Sequence, residues 1–241
     1  MIEVKNVNFM YGSSNKNVLS NINLKINNGE SVGIIGANGA GKSTVLKLLV
    51  GLELQYQGEI LVNNLKVEKK NLSEIRQKIG YVFQDSETQL FMPTIYEDVA
   101  FAPRNYGISK EEIEKRTMKA LKSVGIEDLK DRPIYHLSGG QKKLASIATV
   151  LSMNPEILIF DEPTVALDPK NRRRFIEVLN SLKTTKIVTS HDLDLIYDTC
   201  ERTILIADGK IVKDGLTKDI LHNQELLDNN GLELPLSLIK R

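Results

Sequence analysis

Nine consecutive residues, Gly36, Ala37, Asn38, Gly39, Ala40, Gly41, Lys42, Ser43 and Thr44, constrain this chain more than any other stretch. They follow an apolar run, Ser31-Val-Gly-Ile-Ile-Gly36, and open a segment of helical spacing, Lys42 to Val50, that ends at Gly51. The expected unit is strand, glycine-rich turn, helix. The turn fits G-x-x-x-x-G-K-[ST] through Gly36, Gly41, Lys42 and Ser43. Glycines allow backbone N–H groups to turn inward onto phosphate oxygens, a lysine reaches the outer phosphates, and a hydroxyl ligates Mg²⁺.

The rest of the chain supplies strands for a sheet behind that turn. Ile157 to Phe160, Lys186 to Thr189 and Thr203 to Ala207 are apolar strands separated by helical patterns, which argues a largely parallel sheet with crossover helices. The class is α/β. At the N-terminus, Ile2, Val4, Val7, Phe9 and Tyr11 share a face, and Leu19 to Ile26 alternates again, so an antiparallel ribbon is expected. Shorter strands are expected at Gly58 to Val62, before an Asn63-Asn64 turn, and at Lys78 to Phe83. Ser109 and Glu112 have capping-box spacing ahead of a helix carrying Ile113, Ala120, Leu121 and Val124. A further helix is expected over Gly139 to Met153, a hairpin turn at Asp208-Gly209, and a short terminal helix at Gln224 to Asp228.

Two more stretches carry chemistry. Ile157-Leu-Ile-Phe-Asp161-Glu162 delivers two carboxylates to the C-terminal end of a strand, where ligands of open α/β sheets bind. Asp161 suits the Mg²⁺ water shell and Glu162 an attacking water, as general base or water-positioner; the competing reading is that both cap a helix beginning after Pro163. Leu137, Ser138, Gly139, Gly140 and Gln141 place a serine and two glycines at a helix N-terminus, a second anion-binding nose. One nucleotide does not need two such noses from one chain.

Gln84-Asp85-Ser86-Glu87-Thr88-Gln89-Leu90-Phe91 is less decided. It begins where the Ile79 to Phe83 run stops. Asp85 and Glu87 can meet arginines of a partner while Leu90 and Phe91 offer it an apolar floor. The alternative is a solvated acidic turn with Leu90 and Phe91 tucked into the core.

Charge narrows the partners. Thirty-two basic and 31 acidic side chains leave a net charge of +1, so no general case exists for a nucleic-acid partner. Cys200 is the one cysteine and cannot make an internal disulfide, and MIEVKNVNFMYG has no basic-then-apolar leader. No apolar stretch approaches the ~18 to 20 residues that span a bilayer. A cytosolic location is the default expectation, and work at a membrane requires another chain to hold the protein there.

The order Gly36 to Thr44, Gln84, Leu137 to Gln141, Ile157 to Glu162, Leu167-Asp168 and His191 resembles the ABC ATPases over about residues 1 to 220. The resemblance implies a P-loop NTPase fold of the ABC type: a RecA-like, mainly parallel sheet, an antiparallel β subdomain and a helical signature subdomain at about 86–153. A C-terminal tail, 221–241, would stabilise a dimer. It implies ATP hydrolysis with ATP and Mg²⁺, and a dimer in which one chain's LSGGQ closes in trans on nucleotide held by the other's phosphate loop. On that resemblance Tyr11 stacks on adenine, Gln84 touches Mg²⁺ and the attacking water, His191 contacts the γ-phosphate, and Asp168 lies at the dimer seam. A lone tyrosine or histidine is otherwise packing or surface, and His136 and His222 are read that way. The chain departs from the pattern at Leu144, where an arginine is usual, and at Val165-Ala166, where a smaller pair is usual. One helical step turns Lys143 about 100° from Leu144, so it is no simple substitute.

Within that family, Gly80 to Ser109, HLSGGQKK and ELLDNNGLELPLSL resemble the energy-coupling-factor ATPases of cobalt, nickel and vitamin importers. Gln89 to Phe91 and Glu97 to Phe101 match segments recurring there, with Thr88 atypical. This implies an energy-coupling subunit at the cytoplasmic face of the cell membrane, peripheral, with a second ATPase chain, a transmembrane coupling subunit and a substrate-binding membrane subunit. The ATPase of another transporter, or a soluble ABC ATPase, stays open. The interval of about 95 residues between phosphate loop and signature has no sustained heptads, which counts against the DNA-repair type, and translation types carry two halves per chain.

Overall fold

The computed structural model describes residues 1–12, 17–165 and 167–239. Ala166 of the Val165-Ala166 pair and the last two residues of the tail lie outside them. The ribbon forms as expected from β1 (Ile2–Phe9) and β2 (Leu19–Ile26), paired antiparallel. β3 (Ser31–Ile35) runs into the phosphate loop and α1 (Lys42–Leu49) leaves it. β4 (Tyr56–Val62) and β5 (Leu65–Lys66) complete a sheet of order β2-β1-β4-β5, turning at Asn63-Asn64 with both asparagines left-handed. α2 (Leu72–Lys78), which the sequence reading did not anticipate, leads into β6 (Ile79–Val82).

Three helices follow and pack on one another: α3 (Ile95–Asn105), α4 (Lys110–Ser123) and α5 (Gly139–Leu151). α3 was also unanticipated. Thr94 caps it by accepting from the Glu97 backbone, and Ile95, Val99 and Ala100 are its buried side. The box expected at Ser109 is only half formed. Its hydroxyl accepts from the Glu112 N–H, but the Glu112 carboxylate turns to Arg116 at 2.8 Å. The reciprocal box lies at the signature instead, where Ser138 Oγ accepts from Gln141 N and Gln141 Oε1 accepts from Ser138 N.

The chain then lays down β7 (Ile157–Asp161), α6 (Pro169–Ser181), β8 (Thr185–Thr189), α7 (Leu193–Thr199), β9 (Arg202–Ala207), β10 (Lys210–Leu216), α8 (Thr217–Leu221) and α9 (Gln224–Asp228). The second sheet has order β10-β9-β3-β8-β7-β6, parallel from β9 to β6 with β10 antiparallel at its edge through the Asp208-Gly209 turn. This is the mainly parallel α/β sheet expected. Its inner strands β3, β7 and β8 are buried throughout and lack alternation because both faces are covered, whereas the edge strand β10 is largely exposed. Along β7, Ile157 and Ile159 enter the core shared with the antiparallel sheet and α1, while Leu158 and Phe160 enter the core under the helices.

Leu90 belongs to that second core, at 6% exposure, whereas Phe91 is 63% exposed. The expectation that both form a partner's apolar floor is therefore corrected for Leu90: it fills space beside Ile95, Val99 and Leu121. Leu144 is likewise in this core, and Leu232 and Leu234 of the tail pack against it. Phe175 of α6 meets Phe160 edge-on at 5.8 Å, both fully enclosed. Phe175→Ala is expected to lower stability by about 3–5 kcal/mol in chemical denaturation, through lost burial and a residual cavity.

Candidate functional site

The carboxyl ends of β3, β6, β7 and β8 converge on the loop from Gly36 to Thr44. Gly36 is required there by space, since a Cβ would fall 2.1 Å from the Ile206 carbonyl oxygen. Gly39 and Gly41 are left-handed, with φ of 79° and 105°. Lys42 Nζ donates to Gly36 O at 2.8 Å and Ala37 O at 3.2 Å. Burial depresses the Lys42 pKa, with the charges of Glu162 and Asp161 opposing that shift.

Asp161 closes the floor. Its Oδ1 accepts from Ser43 Oγ at 3.0 Å and from Thr189 Oγ1 at 2.7 Å, and its Oδ2 accepts from the Tyr81 hydroxyl at 2.9 Å. Burial and the Asp161 charge push the Tyr81 hydroxyl pKa upward. Ser43 and Asp161 thus stand together as oxygen donors beside the phosphate loop. Among the described residues no group of three or more His, Cys, Asp or Glu side chains is disposed to hold a metal. That donor set fits Mg²⁺, which is held through one or two protein oxygens plus phosphates and water rather than in an all-protein cage.

Glu162, next along, has φ of 45°, a left-handed backbone that a glutamate adopts only under constraint. Its N–H donates to Thr189 O at 3.1 Å and to Thr189 Oγ1 at 3.2 Å, and its Oε2 accepts from His191 N at 3.0 Å. Oε1 is buried and makes no well-formed hydrogen bond, although His191 Nε2 stands 3.3 Å away. The same Nε2 is 3.2 Å from Lys42 Nζ. These two contacts compete for one ring nitrogen: Nε2 without a hydrogen accepts from the Lys42 ammonium, whereas Nε2 with a hydrogen donates towards Glu162 Oε1. Neither Asp161 nor Glu162 caps a helix. α6 starts six residues after Pro163, and Asp168 caps it, accepting from Lys170 N and Asn171 N at 3.0 Å each.

One cavity of about 420 Å³ gathers Tyr11, the loop from Asn38 to Thr44, Gln84, Glu162 and His191. The structure therefore brings together these residues picked out separately in the sequence. Tyr11 OH lies 3.2 Å from Thr44 Oγ1, and its ring sits edge-on to Phe9 at 4.7 Å, half exposed to the cavity. His136 is exposed against Tyr135 and His222 stacks on Tyr197, both away from the cavity.

The signature residues divide. Ser138 and Gly139 face solvent, and nothing lies within 4 Å of a Cβ on Gly139. Gly140 is packed: a Cβ there would meet the Asn171 amide at 2.3 Å, and that amide is bonded to the Asp168 carboxylate. Leu137 is buried in the helical core, so its side chain is corrected from a contact in trans to a packing residue. The exposed nose is Ser138 and Gly139, with Gln141 spent on the cap.

Sequence reasoning gave no site role to Tyr81, Gln89 or Lys143. Gln89 Oε1 accepts from Phe83 N, and its Nε2 donates to Ser146 O at 2.7 Å and Thr149 Oγ1 at 2.8 Å. Lys143 Nζ donates to Phe83 O and Gln84 O, each at 2.9 Å. A charged residue on the same helix side as Ile147 was the available signal for Lys143, and the Gln89 to Phe91 match was the signal for Gln89; Tyr81 left none. Glu87 is paired with Lys142, and Asp85 accepts from the Glu87 N–H, so both acids are partly occupied within the chain.

A glycine-rich loop at a helix N-terminus, a lysine folded into it, a hydroxyl–carboxylate pair and a constrained second glutamate define a P-loop nucleotide hydrolase. The family model for the ABC transporter matches residues 19–165. A Geobacter sulfurreducens protein named putative ABC transporter ATP-binding protein is 46% identical, over 99% of this chain and 95% of its own length. The energy-coupling factor transporter ATP-binding protein EcfA of Methanocaldococcus jannaschii is 41% identical, over 98% and 86%. Among solved structures, cbiO1 from Clostridium perfringens, part of the ABC transporter complex cbiONQ, superposes with a TM-score of 0.85 at 36% identity, covering 95% of this chain and 93% of that one. A dimeric ATP-binding cassette bound to ADP and phosphate gives 0.80 at 33%, covering 90% and 99%. The chain belongs to the ABC transporter ATP-binding family, has the ABC ATPase fold and is an ATPase.

The two signature glycines are expected to respond differently to substitution. Gly140→Ala should cost about 1–3 kcal/mol by forcing the Asn171 amide aside. Adding Asn171→Ala should return most of that loss in thermal or chemical denaturation, and no recovery would show that some other contact demands the glycine.

Proposed function

We propose that this chain is the ATP-hydrolysing subunit of an energy-coupling-factor importer, driving uptake of a metal ion such as cobalt or nickel, or of a vitamin, through partner membrane proteins. The observation that carries the catalytic half is Glu162, buried and strained in the wall of the nucleotide cavity, with one carboxylate oxygen that makes no well-formed hydrogen bond. ATP lies with its phosphates in the Gly36 to Thr44 loop and its base on Tyr11. Mg²⁺ when bound neutralises charge developing on the phosphate oxygens, and Ser43, Asp161 and Gln84 are the residues to hold it and its waters. Glu162 orients a water and takes its proton as the water oxygen bonds to the γ-phosphorus. The bond from that phosphorus to the β,γ-bridging oxygen breaks, and ADP and phosphate leave. His191 holds the Glu162 carboxylate through its backbone N–H and contacts the γ-phosphate through its ring. The second site element comes from another copy or a similar chain, whose Ser138 and Gly139 close on the γ-phosphate, with Asp168 at the seam. The 221–241 tail helps to hold that dimer; Leu236 and Ile239 stand exposed on it.

Glu162→Gln is expected to lower ATP turnover about 10²–10⁴-fold, the usual worth of a positioned base, while ATP still drives dimer formation in size-exclusion chromatography. Unchanged turnover would sink the role given to Glu162.

The importer half rests on the EcfA relatives and on Phe91, exposed and packed edge-on against Phe101 at 4.8 Å beside the Gln84 segment. Phe91 with Asp85 and Glu87 forms the face for a membrane partner. No described helix is long and apolar enough to cross a membrane, so a peripheral place on the cytoplasmic face depends on that partner. Phe91→Glu should lose the membrane chains that co-purify from native membranes and keep basal ATP hydrolysis. Normal co-purification would count against the docking face, and recovery of soluble partners alone would favour a soluble ABC ATPase.

A further inference from the structure

Beyond Val82 the Gln84 segment leaves the sheet. The last pair in the β6–β7 ladder is Val82 with Phe160, and beyond it the carbonyls of Phe83 and Gln84 and the Gln89 amide nitrogen bond to α5. Lys143 gives its ammonium to the carbonyls of Phe83 and Gln84, Ser146 and Thr149 receive Gln89, and Lys142 pairs with Glu87. Positions 142, 143, 146 and 149 lie along one stripe of the helix. The Gln84 segment is thus carried by the helix whose N-terminus presents Ser138 and Gly139.

Lys143 is the costly member of this set. It is 3% exposed, and its charge faces Asp85 and Asp161 without a direct salt bridge to either. Burial brings its pKa down to about 8. A buried ammonium is retained only where its donors are used, and two of the three are spent on the carbonyls that set where Gln84 begins. A cavity of about 360 Å³ on the other side of Gln84 reaches Gly139 and Leu167, so Gln84 stands between the nucleotide cavity and the signature nose.

We propose that Lys143 is a positioning residue that locks Gln84 to the signature helix, so that the nucleotide-facing glutamine and the nose offered to the opposite site move as one body. Displacing Gln84 by nucleotide then shifts Ser138 and Gly139, and closure of the nose on a partner feeds back on Gln84 by the same two hydrogen bonds. The proposal rests on the nucleotide-facing role given to Gln84. Lys143 does not touch the phosphates and acts through Gln84.

The test is a double-mutant cycle on the full-length protein with Lys143→Met, Gln84→Ala and the double variant, reading kcat, KM and nucleotide affinity. Lys143→Met is expected to lower kcat about tenfold, in keeping with loss of charge-assisted hydrogen bonds, and to leave nucleotide affinity within about twofold because the phosphate loop is untouched. In the Gln84→Ala background the same change should lower kcat by less than about twofold, since there is no glutamine left to place. Lys143→Met with unchanged kcat, or with an equal loss in both backgrounds, overturns the latch. Gln84→Ala with normal turnover removes the role of Gln84 and the latch with it, whereas a loss in Gln84→Ala with additive behaviour removes the latch alone. If Lys143→Met does not fold, Lys143→Gln, a donor of shorter reach, carries the same cycle with the same expected and overturning results.

Discussion

The carboxylate of Asp161 ties the phosphate loop to the sheet. Through Ser43 it holds the start of α1, through Thr189 the end of β8, and through Tyr81 the β6 strand that leads into Gln84. Three hydroxyl donors on one carboxylate compensate its burial and define the position of its oxygens. Glu162 and His191 inherit their placement from this arrangement, because the Glu162 N–H is bound to the same threonine and its carboxylate to the His191 N–H two residues further along. A site built on strand ends is stiff where it must orient a water.

The second constraint is the way the helical layer grips the segment after β6. Gln89 and Lys143 reach backbone groups that a sheet would otherwise satisfy, so an irregular loop is held as firmly as a strand. At the first turn of α5, Gly140 sits directly on Asn171, which Asp168 holds. The signature helix is therefore in contact with the Gln84 segment and with the start of α6, and its own N-terminus is stabilised by a complete capping box.

Much of the fold was legible because its strands are short apolar runs bounded by glycine and polar turns, and because each ends where chemistry begins. The phosphate loop, Asp161, Glu162 and the parallel β7, β8 and β9 came directly from that pattern. α2 and α3 escaped because a seven-residue helix has too few turns to show a period, and because α3 contains Pro103 and an acidic first turn beside apolar residues that also fit a strand. Leu90 and Phe91 are adjacent and equally apolar, and only packing separates them: one completes the core under α3 and the other pairs with Phe101 at the surface.

The sequence by itself determined the nucleotide chemistry, since glycine spacing, a lysine and two carboxylates after an apolar strand are local patterns whose geometry follows from the backbone. It also determined the class of sheet, because strands buried on both faces lose their alternation. Tertiary structure alone decided which polar residues hold the site in place. Tyr81, Gln89 and Lys143 act on groups tens of residues away in the chain, 80 for Tyr81 with Asp161 and 60 for Lys143 with Phe83. No local period encodes such partners, because they are set by which strand ends and helix faces meet when the two cores close.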